Sequence, residues 1–455
     1  MRDVIYKRYL LGVLLVILAF NYVDRTALAL LMQYVKGDLG LSDTQLGFLS
    51  GIAFFLFYSV MGIPLARWAD RGNRVTIITL TTALWSAMVA LCGVAGTFAQ
   101  LLLIRIGIAV GEAGCVPTAH SLIADYFSRA DRPRASAIYH LGTPLSFVIG
   151  YFGAGWLNEA YGWRMTFVLL GVPGLLLATL ARLTLREPRL HAARGSEMRD
   201  EATGIPSASP AQPRLAEVAR VLWENITFRH VLLAYCAVSF FGSGIAQWKP
   251  SFFIRSYGMD SGELGTWFAL ISGGGGLIGT YLGGVLASRY AANNEHLQLK
   301  IMASLYCVYG LSSAFMYISP NPYLAFGLMS VAFVGGGAVL GPLFATIQTL
   351  VPDRMRAISI AIVFLIANLI GNGLGPLAAG ALSDGLRPWF DEESLRYALL
   401  ILCPGYFWCA WHLGCASKSV TRDLERLYAS PDRRLHESPT LESSAIACDG
   451  PVSSK

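Results

Sequence analysis

The sequence predicts an all-α polytopic membrane protein with twelve transmembrane helices in two six-helix halves. Three observations support this fold class. Hydrophobic residues make up 54% of the 455-residue chain and charged residues only 14%, whereas soluble domains carry about 25% charged residues. The chain contains apolar runs long enough to cross a hydrocarbon core of ~30 Å as helices. Related segments also follow the fourth and tenth runs, "RPRASAI" (132–138) and "RMRAISI" (354–360), which indicates a parallel repeat of the two halves.

Hydropathy places the spans and divides the chain into four parts. A first six-helix bundle covers 1–185 and a second covers 230–416. A cytoplasmic linker, 186–229, is rich in charge, Pro and Ser and ends in an amphipathic stretch at 215–223, and a cytoplasmic tail covers 417–455. The predicted spans are 9–33, 45–68, 75–97, 100–127, 134–157, 164–185, 230–254, 262–288, 298–318, 322–350, 357–383 and 395–416.

The distribution of basic residues predicts the orientation. About 27 of the 35 Lys and Arg residues fall in the termini and the even-numbered loops, and an excess of basic residues marks the cytoplasmic side. Both termini are therefore expected in the cytoplasm. The net charge of +6 follows from this topology, so it gives no support to a nucleic-acid partner. The first run is too long for a signal peptide, and we interpret it as a retained helix.

Asp24 and Arg25 lie inside the first span, where an unpaired charge is costly unless it meets a partner or a cavity. Asp24 is expected roughly 22 Å from the cytoplasmic edge at 1.5 Å per residue. Arg105, on the descending fourth helix, is expected roughly 8 Å below the outer edge of a ~30 Å core. These depths coincide, so the two can pair if the helices adjoin. Glu112 lies two turns below Arg105 and within possible reach of Arg25.

These two acids and two bases form a charge-balanced set that one proton can unbalance. Burial favours the protonated carboxylic acid, and a nearby guanidinium favours the carboxylate. We predict Asp24 as the primary proton acceptor, with Glu112 coupled to it or binding substrate. Arg25 and Arg105 suit an anionic headgroup, because guanidinium groups match phosphate and carboxylate geometry. The alternative is a permanently closed network that only packs helices.

The seventh predicted helix and the fifth supply the other candidates. Lys249 could contact a headgroup or extend its amine to the membrane interface. A polar face that recurs every four residues could line a cavity or form hydrogen bonds between helices, and it comprises Tyr235, Ser239, Ser243 and Gln247. His140 is either a proton relay or a hydrogen-bonded structural histidine. Aromatic walls for an apolar chain could come from Phe54, Phe55, Phe57 and Tyr58, or from Phe240 and Phe241.

Other functional classes lack the residues that they need. The cysteines show no metal-ligand spacing and are expected to be apolar packing residues. No loop offers a His, Cys, Asp and Glu constellation for a membrane enzyme. The glycine-rich segments lie inside apolar spans, so none is a phosphate loop. The sequence therefore predicts no enzyme activity, no cofactor and no metal.

The loop after the second span, "ARWADRGNR" (66–74), resembles the signature of major facilitator superfamily transporters. The resemblance implies that Asp70, Arg71 and Arg74 are charges of a cytoplasmic gate. This chain has Ala66 where the family usually has Gly, and Ser288 where a second copy of the motif could have an acid. The second departure implies that the first half supplies most of the gate charge.

Two further segments of the first half are similar to superfamily motifs, namely "RIGIAVGEAG" (105–114) and "YGWRMTF" (161–167). Within the superfamily, "NYVDR", "GEAG" and "QWKPSFFIR" resemble the spinster group, which is associated with export of lysolipids and sphingoid lipids. Bacterial members of that group are thought to be proton-coupled.

The resemblance implies a multi-pass protein of the bacterial inner membrane that works as a monomer by alternating access. Protons, the lipid bilayer and a small amphipathic or anionic substrate would be its partners, and the substrate would be lysolipid- or sphingoid-like. The alternative is a proton-coupled organic-anion or drug carrier with the same fold. The sequence leaves open the substrate's identity, the direction of coupling and which acid takes the proton.

Overall fold

A computed structural model describes residues 2–128, 130–188, 215–290, 294–352 and 355–429, and the elements in these ranges are helices. The first half begins with α1, which extends beyond both predicted ends of its span. The helices of this half are α1 (Arg2–Leu39), α2 (Asp43–Ser50), α3 (Ile52–Arg71), α4 (Arg74–Cys92), α5 (Phe98–Ala113), α6 (Cys115–Tyr126), α7 (Arg132–His140), α8 (Gly142–Phe147) and α9 (Ala154–Thr184). A π-helical segment, Val148–Gly153, joins α8 to α9.

The second half follows a short helix, α10 (Leu215–Glu224), at the amphipathic stretch. Its helices are α11 (Ile226–Tyr257), α12 (Ser261–Phe268), α13 (Gly276–Tyr290), α14 (Glu295–Ile318), α15 (Pro322–Thr349), α16 (Arg356–Ile366), α17 (Leu374–Phe390), α18 (Ser394–Leu402) and α19 (Pro404–Ala429). Two π-helical segments, Ala269–Gly275 and Ala367–Gly373, precede α13 and α17. Linker residues 189–214 and tail residues 430–455 lie outside the described residues.

Within the described ranges, ten helical segments are long and apolar enough to cross a membrane. Two of them, Arg132–Thr184 with 53 residues and Ile358–Arg426 with 69, far exceed the ~20 residues that one crossing needs. Gly162 interrupts the first with a φ of 77°, and Asp391 interrupts the second with a φ of 47°. Each is therefore long enough for two crossings.

Polar residues at the start of α11 explain why this helix begins four residues before its predicted span. The Asn225 side chain accepts a hydrogen bond from the backbone N–H of Phe228. The Asp423 carboxylate, on α19, accepts from the backbone N–H of Thr227 at 2.9 Å and from its hydroxyl at 2.8 Å. These contacts satisfy the free donors of the helix terminus, so the helix starts at Ile226.

The two halves pack most closely at the end of the bundle opposite the N-terminus, called here the far end. The other end, which holds the start of α1, is called the terminus end. Small residues allow the close approach at the far end: a Cβ built at Gly47 would collide with the carbonyl oxygen of Pro376, and one at Gly380 would collide with that of Asp43. Asn158 also donates to Ser261 across the halves at 3.0 Å.

Candidate functional site

The first-half charge network begins with an ion pair between α1 and α5. Arg105 donates from Nη1 to Oδ2 of Asp24 at 2.6 Å, and both side chains are almost completely buried. The contact expected from the depths of the two residues is therefore present. A guanidinium and a carboxylate that are both buried within a membrane protein stabilise each other, because water is excluded from the ion pair.

Arg25 makes the second pair of the network. Its Nε donates to Oε2 of Glu112 at 3.1 Å, and its Nη2 contacts the same oxygen. Glu112 is fully buried, whereas 17% of the Arg25 side chain is exposed. The guanidinium lies over the rings of Tyr22 and Phe54, at 4.5 and 4.6 Å from their centroids. Arg25 thus connects a buried acid to an aromatic surface.

Each carboxyl group of the network keeps one oxygen, Oδ1 of Asp24 and Oε1 of Glu112, buried without a hydrogen-bond donor among the described residues. Arg25, which follows Asp24 in the chain, contacts Glu112, so both carboxyl groups belong to the same buried cluster. Buried polar atoms usually have a partner, and two carboxylate oxygens can hydrogen-bond to each other only through a proton. The network can therefore take up a proton at one of these two oxygens.

A cavity of about 700 Å³ lies between the two halves, beside this network. Its volume is within the range of ~300–1,000 Å³ typical of small-molecule sites. Aromatic rings form much of the wall, and amide, imidazole and guanidinium groups interrupt them. The lining includes Tyr22, Arg25, Ser50, Phe54, Phe55, Tyr58, Arg105, His120, His140, Tyr235, Gln247, Phe364, Asn368 and Asn372.

The polar face expected on α11 is divided by the structure. Tyr235 and Gln247 line the cavity. Ser239 packs instead against Gly371, whose Cβ position would collide with the serine. The side chain of Ser243 lies outside the described residues. One face of this helix therefore serves both the cavity and helix–helix packing.

Lys249 points into the second half and is not among the residues that line the cavity. Only 1% of it is exposed, which excludes extension of the amine to a membrane interface. Its Nζ lies 5.0 Å from the ring centroid of Phe333 and 5.7 Å from that of Tyr309.

His140 lines the cavity next to a second histidine, His120, that sequence reasoning missed. Their ring centroids are 5.3 Å apart, and Tyr139 contacts both rings. The signal was present in the sequence, because His120 follows Glu112 by eight residues along the fourth predicted span. In the part of the chain described, no cluster of three or more His, Cys, Asp or Glu side chains could hold a metal ion.

The three residues expected at the terminus-end gate lie in different environments. Asp70 and Arg71 are exposed at the end of α3. Arg74 is fully buried and donates to Asp125 at 2.5 Å and, through Nε, to Glu187 at 3.0 Å. Asp125 lies in the first half and Glu187 at the start of the linker that follows it, so in this conformation Arg74 makes no contact with the second half through these two acids.

We expect Arg74→Met to lower the thermal stability of the purified protein markedly. The change leaves the buried Glu187 without its charge partner, and breaking a buried ion pair costs about 3–5 kcal/mol. Arg71→Met, at an exposed position of the same loop, should shift the melting temperature little. Equal melting temperatures for Arg74→Met and the unmodified protein would contradict the structural role assigned to Arg74.

A charged cluster at the far end joins the halves and was not predicted. Arg255 donates to both carboxylate oxygens of Asp43, at 2.8 and 2.6 Å. Lys36 and Ser383 also donate to Asp43, at 2.6 and 2.7 Å. Asp384 accepts from the hydroxyl of Thr44 at 2.6 Å. These contacts form the far-end latch, which consists of Lys36, Asp43, Thr44, Arg255, Ser383 and Asp384.

Asp43→Asn should open the far end. Loss of the buried charge pair costs ~3–5 kcal/mol, which is enough to shift a ratio of conformers by more than about 100-fold. Spin labels at positions 160 and 389, exposed far-end sites of the two halves, should report longer distances in a background without native cysteines. Asp260→Asn, an exposed far-end control, should leave them unchanged. An unaltered distance distribution in Asp43→Asn would show that the latch does not hold this end closed.

Comparisons with known proteins fit this geometry. The family model of the Major Facilitator Superfamily matches residues 14–411. The chain belongs to the major facilitator superfamily. An "MFS-type efflux pump" of Mycolicibacterium smegmatis is 32% identical over 395 residues, which are 86% of this chain and 88% of that protein. The "Probable L-galactonate transporter" of Escherichia coli is 25% identical over 392 residues, covering 84% and 83% of the two chains.

A solved structure extends the likeness to the spinster group. It is a bacterial homolog of the human lysosomal transporter Spinster, in an inward-facing and unoccupied conformation. Its TM-score is 0.78 at 28% identity, and the match covers 92% of this chain and 98% of that one. This superfamily member is therefore a spinster-like, multi-pass membrane transporter of small substrates, and the expectation that it is not an enzyme is confirmed.

Proposed function

We propose that this chain is a proton-coupled secondary transporter that moves a lysolipid- or sphingoid-like substrate with an anionic group by alternating access. It acts in the bacterial inner membrane as twelve crossings in two six-helix halves, with both termini in the cytoplasm, and works as a monomer. The observation that carries the proposal is the position of Arg25, which faces the cavity and is paired with the buried Glu112.

Coupling follows from competition for Arg25. An anionic group in the cavity must displace Glu112 from the guanidinium to bind it. Glu112 is then a buried carboxylate without its counter-charge, and such a group binds a proton in preference to remaining charged. Asp24 lies next to Arg25 in the same buried network and is coupled to that proton, since interacting acids titrate as a pair. Substrate and proton therefore bind together.

Alternating access would use the two ends of the bundle in turn. The far-end latch closes the outer side in this conformation, and the cavity extends from Arg25 toward His120 and His140 on the terminus side. Opening the outer side requires the Asp43 and Arg255 charges to separate and become hydrated. The exposed Asp70 and Arg71 would then form contacts that close the cytoplasmic side.

The cavity wall supports an amphipathic substrate. Phe55 and Tyr58 offer apolar surface to an acyl chain, beside the guanidinium that would hold its headgroup, and the fully buried Phe54 packs behind them. Phe57 has an exposed fraction of 36% and belongs to the outer surface. Four aromatic rings surround the Arg25 guanidinium.

The alternative is a proton-coupled organic-anion or drug carrier. Asn368 and Asn372, whose side chains hydrogen-bond each other at 2.8 Å on the cavity wall, could bind a polar substrate. Two relatives, the efflux pump and the probable L-galactonate transporter, also support this alternative function.

A substrate panel in vesicles distinguishes the two. Purified protein would be reconstituted, and counterflow of labelled lysophosphatidic acid, sphingosine and L-galactonate would be measured at equal pH on both sides. We expect exchange of lysophosphatidic acid above that of protein-free vesicles. Exchange of L-galactonate alone would favour the organic-anion carrier over the carrier of amphipathic substrates. Exchange of none of the three compounds would overturn both proposed functions.

A further inference from the structure

The second half contains a buried cation that has no counter-charge among the residues that the structure describes. Lys249 is 1% exposed, and its Nζ has no hydrogen-bond partner among the described residues. The first half differs, because Arg25 and Arg105 each pair with a carboxylate. A buried ammonium without an anion is costly in a membrane protein, and the nearby rings of Phe333 and Tyr309 offset only part of that cost.

Hydroxyl groups without partners follow Tyr309, the ring next to this cation, along α14. Tyr317 is fully buried, and its Oη has no partner in the described ranges. The Ser313 hydroxyl, one helical turn earlier on α14, is likewise buried and unpartnered there. Tyr406 on α19 packs against Tyr309, with ring centroids 4.5 Å apart, and lies in electrostatic range of Tyr317. Helices α11, α14 and α19 therefore meet around Tyr309.

We propose that Lys249, with the hydroxyls of Ser313 and Tyr317, forms a binding site for a small monovalent inorganic anion of the chloride type. The ammonium supplies the missing charge balance, and the hydroxyls donate hydrogen bonds to the ion. Lys249 is not among the residues that line the transport cavity, and residues of α14, α15 and α19 pack around it, so a halide fits its chemistry better than a lipid headgroup.

The test compares chloride with gluconate at equal ionic strength, using full-length protein in detergent. Chloride should raise the thermal midpoint of the unmodified protein saturably, by an amount on the order of 2 °C. Lys249→Met should lose the difference, and Lys300→Met, an exposed lysine on the same helix as Ser313, should keep it. A shift that persists in Lys249→Met, or that never saturates, would be a general salt effect and would refute the site.

Crystals grown in bromide provide an independent readout that does not depend on any variant. An anomalous peak within hydrogen-bonding distance of Lys249 Nζ is expected. A peak at Arg25 with none at Lys249 would assign the anion to the transport cavity and overturn the proposal, as would the absence of both peaks. Neither measurement uses transported substrate. The anion site can therefore be refuted while the proposed transport function holds, and the transport function can be refuted while the anion site holds.

Discussion

Glu112→Gln should abolish proton-driven accumulation of lysophosphatidic acid and leave its exchange intact. A gradient of one pH unit can drive about tenfold accumulation if one proton accompanies each substrate, since 1.4 kcal/mol is a factor of ten. The amide remains neutral at every pH, so the ratio should fall to about one, because the coupling energy has been removed. The assay is uptake into vesicles with and without a pH gradient.

Two comparisons make the result specific to coupling. Glu263→Gln, at an exposed position of α12, should accumulate substrate as the unmodified protein does. Asp24→Asn should also reduce accumulation. Unlike Glu112→Gln, it should reduce exchange as well, because Arg105 loses the carboxylate that holds its position, at 2.6 Å in the unmodified protein. Full accumulation by Glu112→Gln would show that the charge network has only a structural role.

Arg25→Gln should weaken binding of lysophosphatidic acid by about 10- to 150-fold, since a hydrogen bond to a charged group contributes ~1.5–3 kcal/mol. Binding to the purified protein can be measured by calorimetry. A monoacylglycerol, which has an acyl chain but no charge, should bind Arg25→Gln and the unmodified protein alike. Weaker binding of lysophosphatidic acid alone would show that its anionic group binds the Arg25 guanidinium on the cavity wall.

A second variant controls for the acid that Arg25→Gln leaves unpaired. In Arg25→Gln combined with Glu112→Gln, no orphan carboxylate remains, and the weak binding of the anionic lipid should persist. Equal weakening for the charged and uncharged lipids would instead indicate a damaged cavity, and normal binding of both would remove Arg25 from the substrate site.

The sequence was sufficient for an all-helical membrane protein of the superfamily fold and for the ion pair between Asp24 and Arg105. Counting 1.5 Å per residue along two antiparallel helices places Asp24 and Arg105 at one depth, and their ion pair needs little more than that. The pairing of Arg25 with Glu112 also follows from helical geometry. Local spacing and depth determine such contacts, so a single sequence can reveal them.

Contacts that depend on tertiary packing were not accessible in this way. The far-end latch joins Asp43 to Arg255, 212 residues away, although Lys36 and Arg255 were already unusual as basic residues of odd-numbered loops. Arg74 was expected to be a gate charge from its place in the superfamily signature, and its partner Glu187 lies beyond the sixth predicted span. The burial of Lys249 depends on which face of α11 turns inward, and hydropathy does not report that.

The most direct test of the account is the number of protons exchanged when lysophosphatidic acid binds. Calorimetry in buffers of different ionisation enthalpy would give this number for the purified protein. We predict uptake of about one proton per bound substrate, and none in Glu112→Gln, because anion and proton are linked through Arg25. Binding without proton uptake in the unmodified protein, or the same uptake in Glu112→Gln, would contradict it.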